Sequence, residues 1–243
     1  MLPAVTTRCR IAAVVLGSLF AAAGPAFGSG GDPFRDPAWH HYYQDPDPAG
    51  LDEAVASFAA GAYPADRDAI AARARFFAVL SESHPGILRA AKRAYARAGR
   101  RGRARLLILF ERVRDPDLAV WLDAAAREEE DPERRVRLER AALEGPPPLA
   151  ILDDPPTTTT QLAEQWACFY ALGNTQVVAH TRRLQALADA GTTTRTALRR
   201  HPLSWLAAEA GARLKREAAR HAPVWRALWH DVQEARGSEA EAL

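Results

Sequence analysis

The residues whose types and spacing are suited to chemistry fall into four groups. The densest is the segment from Arg89 to Arg105, RAAKRAYARAGRRGRAR. Its eight basic residues, Arg89, Lys92, Arg93, Arg97, Arg100, Arg101, Arg103 and Arg105, come without a single acidic one. Guanidinium groups at this density suit phosphate oxygens or an anionic lipid surface. A polyanion held through about four phosphate contacts releases with salt at a log–log slope of about −3.6. The opposite sign follows at Asp123, Glu128, Glu129, Glu130, Asp131 and Glu133. The same pattern therefore also fits neutralisation within the chain, between neighbouring helices whose end charges answer the backbone dipole.

The second group is Cys168 with His180. A thiol beside an imidazole is the pairing that nucleophilic catalysis requires. A cysteine next to Trp166 and Phe169 is also the place for a small core hydrophobe, and that is the simpler reading. The third group, His40 and His41 with Asp45 and Asp47, offers nitrogen and carboxylate ligands of the kind a divalent metal takes. These four sit on a segment with nothing to preorganise them. In the fourth, His221 and His230 flank Trp225 and Trp229 beside an apolar face of Val224, Trp225 and Leu228, and His230-Asp231 reads as polar decoration at a helix end. The expected mature chain contains no HExxH, GxSxG, phosphate-binding glycine loop or CxxC, motifs that each encode a definite geometry. No catalytic residue, metal or cofactor is assigned.

The elements that must position these groups begin after a leader. Arg8 and Arg10 form a positive start, Ile11 to Ala23 is apolar, and Ala26-Phe27-Gly28 supplies small residues for a signal peptidase. This predicts cleavage near Gly28, with Ala21 to Ala23 as a second site and an uncleaved anchor as the alternative. It places the protein in a bacterial periplasm or outside the cell, with no transmembrane segment once the leader is gone. Arg8 and Arg10 leave with it, which lowers the basic count from 32 to 30, equal to the 30 acidic residues. A neutral chain has no general pull toward nucleic acid, and none is expected as a partner. Cys9 is lost too, so Cys168 has no intrachain disulfide partner.

Residues 29–50 repeat Asp-Pro four times and carry Phe34, Trp39, Tyr42 and Tyr43. Proline bars regular pairing, so this is an extended arm. Its rings, Trp39, Tyr42 and Tyr43 above all, either dock on the following domain or touch a partner. From Leu51 on, apolar residues recur at three- and four-residue steps, which is helical periodicity. Helices are expected over Leu51 to Ala60, Asp66 to Ser83, Pro85 to Ala98, Arg103 to Arg114, Asp117 to Glu130 and Glu133 to Glu144. The LLILF centre of the fourth should be deeply buried. Asp115-Pro116 and Asp131-Pro132 each join an N-cap to a first-turn proline.

Residues 51–145 thus form an N-terminal helical array, and the proline- and threonine-rich 146–160 is a connector lying against the surface. Residues 161–236 form a second array, ahead of a frayed tail at 237–243. That second array opens with QLAEQWACFYALGNTQVVAHTRRLQAL, from Gln161 to Leu187, which reads as two antiparallel helices closed by Gly173-Asn174. Thr192 to Thr194, a short helix to Arg200, Leu203 to Arg220 and Val224 to Ala235 complete it, with Pro223 kinking one helix or starting the next. Helix pairs begin near residues 51, 85, 115, 160 and 202. Such a layout is similar in architecture to an irregular helical repeat array of the HEAT or tetratricopeptide kind. The Trp, Gly and Tyr spacing of tetratricopeptide repeats is absent. The expected fold is therefore all-α, about ten helices in antiparallel pairs, with an irregular helical bundle as the alternative.

Stacked helices present an extended surface without a polar pocket, so the expected role is a non-catalytic interaction module or scaffold for a protein or peptide partner. The alternative is an anionic-surface binder working through Arg89 to Arg105. A third is an enzyme with a dispersed site.

Overall fold

The computed structural model describes residues 39, 41–62, 66–144, 147–191 and 204–240. Among them the protein is all-α. It has α1 (Leu51–Ala60), α2 (Arg67–Ser81), α3 (Gly86–Arg97), α4 (Arg100–Phe110), α5 (Pro116–Glu128), α6 (Pro132–Glu144), α7 (Thr159–Leu172), α8 (Gln176–Gly191), α9 (Ser204–Arg220) and α10 (Ala222–Ala240), with no strand. The leader, its cleavage near Gly28, the Thr192 to Thr194 cluster and Pro202 lie outside the described residues. No described helix is long and apolar enough to cross a membrane.

The punctuation follows the cap chemistry. Asp66, Asp115 and Thr158 accept the backbone N–H three residues on and so open α2, α5 and α7. Gly61 (φ 85°) and Gly173 (φ 70°) close α1 and α7 in the left-handed conformation, which costs glycine least. Pro223 falls in the first turn of α10, so it starts that helix and does not kink the one before. Several boundaries move, among them the end of α4, which falls at Phe110, four residues before the expected Arg114. α4 begins at Arg100, three residues before the expected Arg103, because Gly102 is carried inside the helix. α10 continues to Ala240 through Gly237, past the expected end at Ala235.

Contacts divide the chain into two compact units that meet between Asn174 and Thr175. In the first, 30–174, α2 is the centre. Every residue from Ala71 to Ser81 is buried, and Phe76 and Phe77 are fully so. Helix α7 packs along it with Leu162 to Ala171 buried all round. Burying one such aromatic or aliphatic side chain contributes about 1.5–3 kcal/mol, so this pair anchors the unit. α4 and α3 also touch α2, α1 lies on α3 and α4, and α5 pairs with α6. As expected, Leu106, Leu107, Leu109 and Phe110 of α4 are excluded from solvent. The segment 147–156 stays on this unit: Arg75 Nη1 donates to the Pro148 carbonyl at 2.7 Å, and Gln165 Nε2 donates to those of Ile151 and Asp154.

In the second unit α8 packs on α9, and α10 touches both. The two halves of the expected hairpin from Gln161 to Leu187 therefore take different main partners, α7 choosing α2 and α8 choosing α9. The reason is area. α7 is apolar on all sides around Trp166, Phe169 and Tyr170, and one neighbouring helix cannot cover it. Consecutive pairing, which a repeat array demands, holds for α5 with α6, whereas α2 finds its largest contact far along the chain.

Candidate functional site

The basic segment spans α3 and the start of α4, and the structure sorts its eight members by direction. Lys92 turns toward α5, where its Nζ donates to the Asp117 carbonyl at 3.1 Å and sits 5.9 Å from the centre of the Trp121 ring. Arg103 turns the same way, lying over the Tyr95 ring and 3.5 Å from Glu129. Arg93, Arg97, Arg100, Arg101 and Arg105 line one cleft of about 880 Å³. Arg89 stands at its edge, where its Nη2 and Asp52 Oδ1 both approach Gly86.

The cleft exists because the helices around it carry small residues where they face one another. Its floor is Ala56, Ala59 and Ala60 of α1, Ala90 and Ala94 of α3, and Ala98 with Gly102 at the start of α4. Gly102 lets α4 abut α1. A Cβ on Gly102 would stand 2.8 Å from the Ala59 carbonyl oxygen, closer than non-bonded atoms allow. At the end of α1 the Arg105 guanidinium lies directly over Gly61. There it meets the negative end of the helix dipole.

Asp52 is the one acid in the cleft, and it accepts from Arg93 at 2.8 Å with both side chains more than half exposed. A pair so exposed contributes under about 1 kcal/mol. Arg97, Arg100, Arg101 and Arg105 form no ion pair among the described residues. The first turn of α4 adds backbone donors, since its N-cap is Gly99, which has no side chain to accept them, and the space beside Gly99 is open.

The acidic run answers mainly other arginines. Glu129 is buried and gathers Arg134 Nη2 at 2.9 Å, the Tyr95 hydroxyl at 3.0 Å and Arg103. Arg134 first, then the Asp131 N–H and the Tyr95 hydroxyl, hold its carboxyl at about 2, below the ordinary 4.5, against the opposing effect of burial. Burial in turn pushes the Tyr95 phenol up to about 12. Asp131 is held low by the backbone N–H of Arg134, with a weaker contribution from the field of Arg100. Asp123 pairs with Arg127 one turn on. Neutralisation by these acids thus reaches Arg103 and leaves the cleft arginines with Asp52 alone as an ion-paired acid.

The remaining candidates have other occupations. Trp39 and Tyr42 are buried against Phe76, with ring centres at 4.6 and 5.5 Å, and Tyr43 lies 5.0 Å from Phe169 while its N–H donates to the Tyr170 carbonyl. The Arg73 guanidinium stacks on Trp39 at 4.1 Å. The described part of the arm therefore docks on its own domain. Asp47 caps the short turn after it by accepting from Ala49 N–H, and His40 lies outside the described residues.

Cys168 is fully buried, and burial pushes its thiol up to about 12. Its Sγ donates to the Glu164 carbonyl at 3.5 Å. A thiol held protonated in the core is not a nucleophile. Cys168 belongs to the first unit and His180, also buried, to the second. His221 is also buried, 3.2 Å from Glu217 one turn before it. His230 is exposed on α10.

Two sets of residues escape a motif search. The alanines of the floor leave a trace, since Ala56, Ala59 and Ala60 recur at helical steps. The cluster at Glu164 leaves none. This carboxylate accepts from Arg112 Nε at 2.7 Å and again from Arg112 Nη2, and stands 3.4 Å from Arg75 Nη2. Arg75 lies on α2, Glu164 on α7 and Arg112 in the turn after α4, with Arg75 and Glu164 89 residues apart.

Fold and geometry together define an all-α protein with an arginine-lined cleft on its larger unit. Comparison with protein-family models, with curated proteins and with solved structures found no match.

Proposed function

We propose that the protein is an exported, non-catalytic helical binding module that engages its partner through the cleft between α1, α3 and α4, and that the partner presents anionic groups there. This reading joins the interaction module to the anion binder expected from Arg89 to Arg105. The observation that carries it is the convergence of Arg97, Arg100, Arg101 and Arg105, none of them ion-paired among the described residues, on one cleft lined by small residues. Arginines kept only for solubility gain nothing from facing one another, because like charges repel. A shared counter-anion reverses that sign.

The test is retention on a heparin column. The wild type should be held at low salt and released as salt rises. A variant carrying Arg97→Gln and Arg101→Gln should elute earlier than one carrying Arg127→Gln and Arg140→Gln, which loses as much charge elsewhere. Equal elution of the two variants, or no retention of the wild type, overturns the reading. Export rests on the leader, and mass spectrometry of the protein from cells should find an N-terminus near residue 29. Intact Met1 in the membrane fraction would remove that part.

A further inference from the structure

We infer that the cleft is a site for clustered phosphate groups, recognised by their oxygens alone. This deepens the reading above and rests on it. Three features of the cleft select phosphate over other anions.

The first is direction. Arg97 reaches in from α3, Arg101 from the first turn of α4, and Arg105 from one turn further along over the end of α1. Donors arriving from separate elements suit a tetrahedral group with three or more acceptor oxygens. A planar carboxylate is satisfied by a single guanidinium fork. The second is the open first turn of α4, which adds backbone N–H donors to the guanidinium groups and has no competing side-chain cap. The third is the described lining of the cleft, which holds alanine, glycine, arginine and one aspartate and, among the described residues, no aromatic ring. A base or a sugar ring would find no stacking face among these residues, so a nucleotide gains nothing from them beyond its phosphates. The volume of about 880 Å³ admits several linked phosphates.

Isothermal titration of the whole protein, free of its leader, with four probes tests this. Tripolyphosphate should bind about tenfold or more tightly than hexaglutamate, although hexaglutamate carries more negative charge. ADP and inorganic pyrophosphate should bind alike, within about threefold. The Arg97→Gln, Arg101→Gln variant should lose about tenfold for tripolyphosphate. Both side chains are exposed and unpaired, so its circular dichroism melt should match the wild type. Replacing the same two residues by lysine, which keeps charge and removes the fork, should restore only part of the affinity.

Hexaglutamate binding as tightly as tripolyphosphate would overturn the inference and leave the broader anion-binding reading standing. Failure of both probes would overturn both. ADP binding far more tightly than pyrophosphate would also overturn it. Co-sedimentation with phosphatidylcholine vesicles containing phosphatidic acid separates the two sources of such phosphate. Sedimentation reversed by tripolyphosphate supports the inference with a lipid headgroup as ligand. Binding of tripolyphosphate without sedimentation supports it with a soluble phosphate compound.

Discussion

Gly102 of α4 and Ala59 of α1 are in such close approach that a single added carbon on Gly102 would lie 2.8 Å from the Ala59 carbonyl oxygen. The backbone of one helix thus rests on that of another, and the cleft walls keep their spacing because of it. Gly102→Val tests the relationship. Valine gains part of the helix propensity that glycine lacks, at most about 1 kcal/mol. Overpacking against a carbonyl that cannot rotate away costs about 1–3 kcal/mol, so the clash wins. A lower urea midpoint and weaker retention on heparin are expected together. A variant with unchanged midpoint would show that the contact is not held in solution.

The carboxylate of Glu164 pairs with both Arg75 and Arg112. Burial lowers the Arg75 guanidinium below its ordinary range, and Glu164 opposes that shift. Removing the acid leaves a buried positive charge without its counter-ion, which costs about 3–5 kcal/mol. Glu164→Ala should therefore lose most of the stability of the first unit in denaturant titration. Glu164→Gln keeps acceptor oxygen and shape, so it should lose less.

Glu129 sets an acid limit on stability. Its folded value of about 2 lies below the ordinary 4.5, so the folded state binds the proton less readily than the unfolded one. The stabilisation is present above pH 4.5 and is lost as pH falls from there toward 2. At about 1.4 kcal/mol for each unit it amounts to about 3 kcal/mol. Urea midpoints measured at pH 7, 4.5 and 2.5 should fall steeply over the last interval. Glu129→Gln should start lower and fall less there, and a parallel fall would refute the assignment.

Cys168 should be silent in the folded protein. With the thiol pushed up to about 12 and no exposed surface, iodoacetamide at pH 8 should label it only after unfolding. Cys168→Ser should leave heparin retention unchanged. Rapid labelling of the native protein would mean that the core around α7 opens readily.

Helix positions were legible because periodicity, caps and prolines are local. Asp66, Asp115, Gly61 and Gly173 each announce a boundary through the backbone conformation or donor they serve. The cleft was half legible. Eight basic residues in seventeen mark a surface, but whether they face a groove or an acid depends on rotation about α3 and α4. A shift of one residue turns a side chain by about 100°. Lys92 and Arg93 are neighbours in sequence, and one meets Trp121 while the other meets Asp52.

The all-α class and the turn at Gly173 follow from sequence alone, because each is settled by residue type and short-range spacing. Which helices share a core was decided only in three dimensions. α7 chose α2, ninety residues away, over the helix that follows it, because a helix apolar all round gains most where it buries most area. The convergence of Arg97, Arg101 and Arg105 was decided in the same way, by small residues at Ala59 and Gly102 that let α1 and α4 come together. No local pattern encodes that approach.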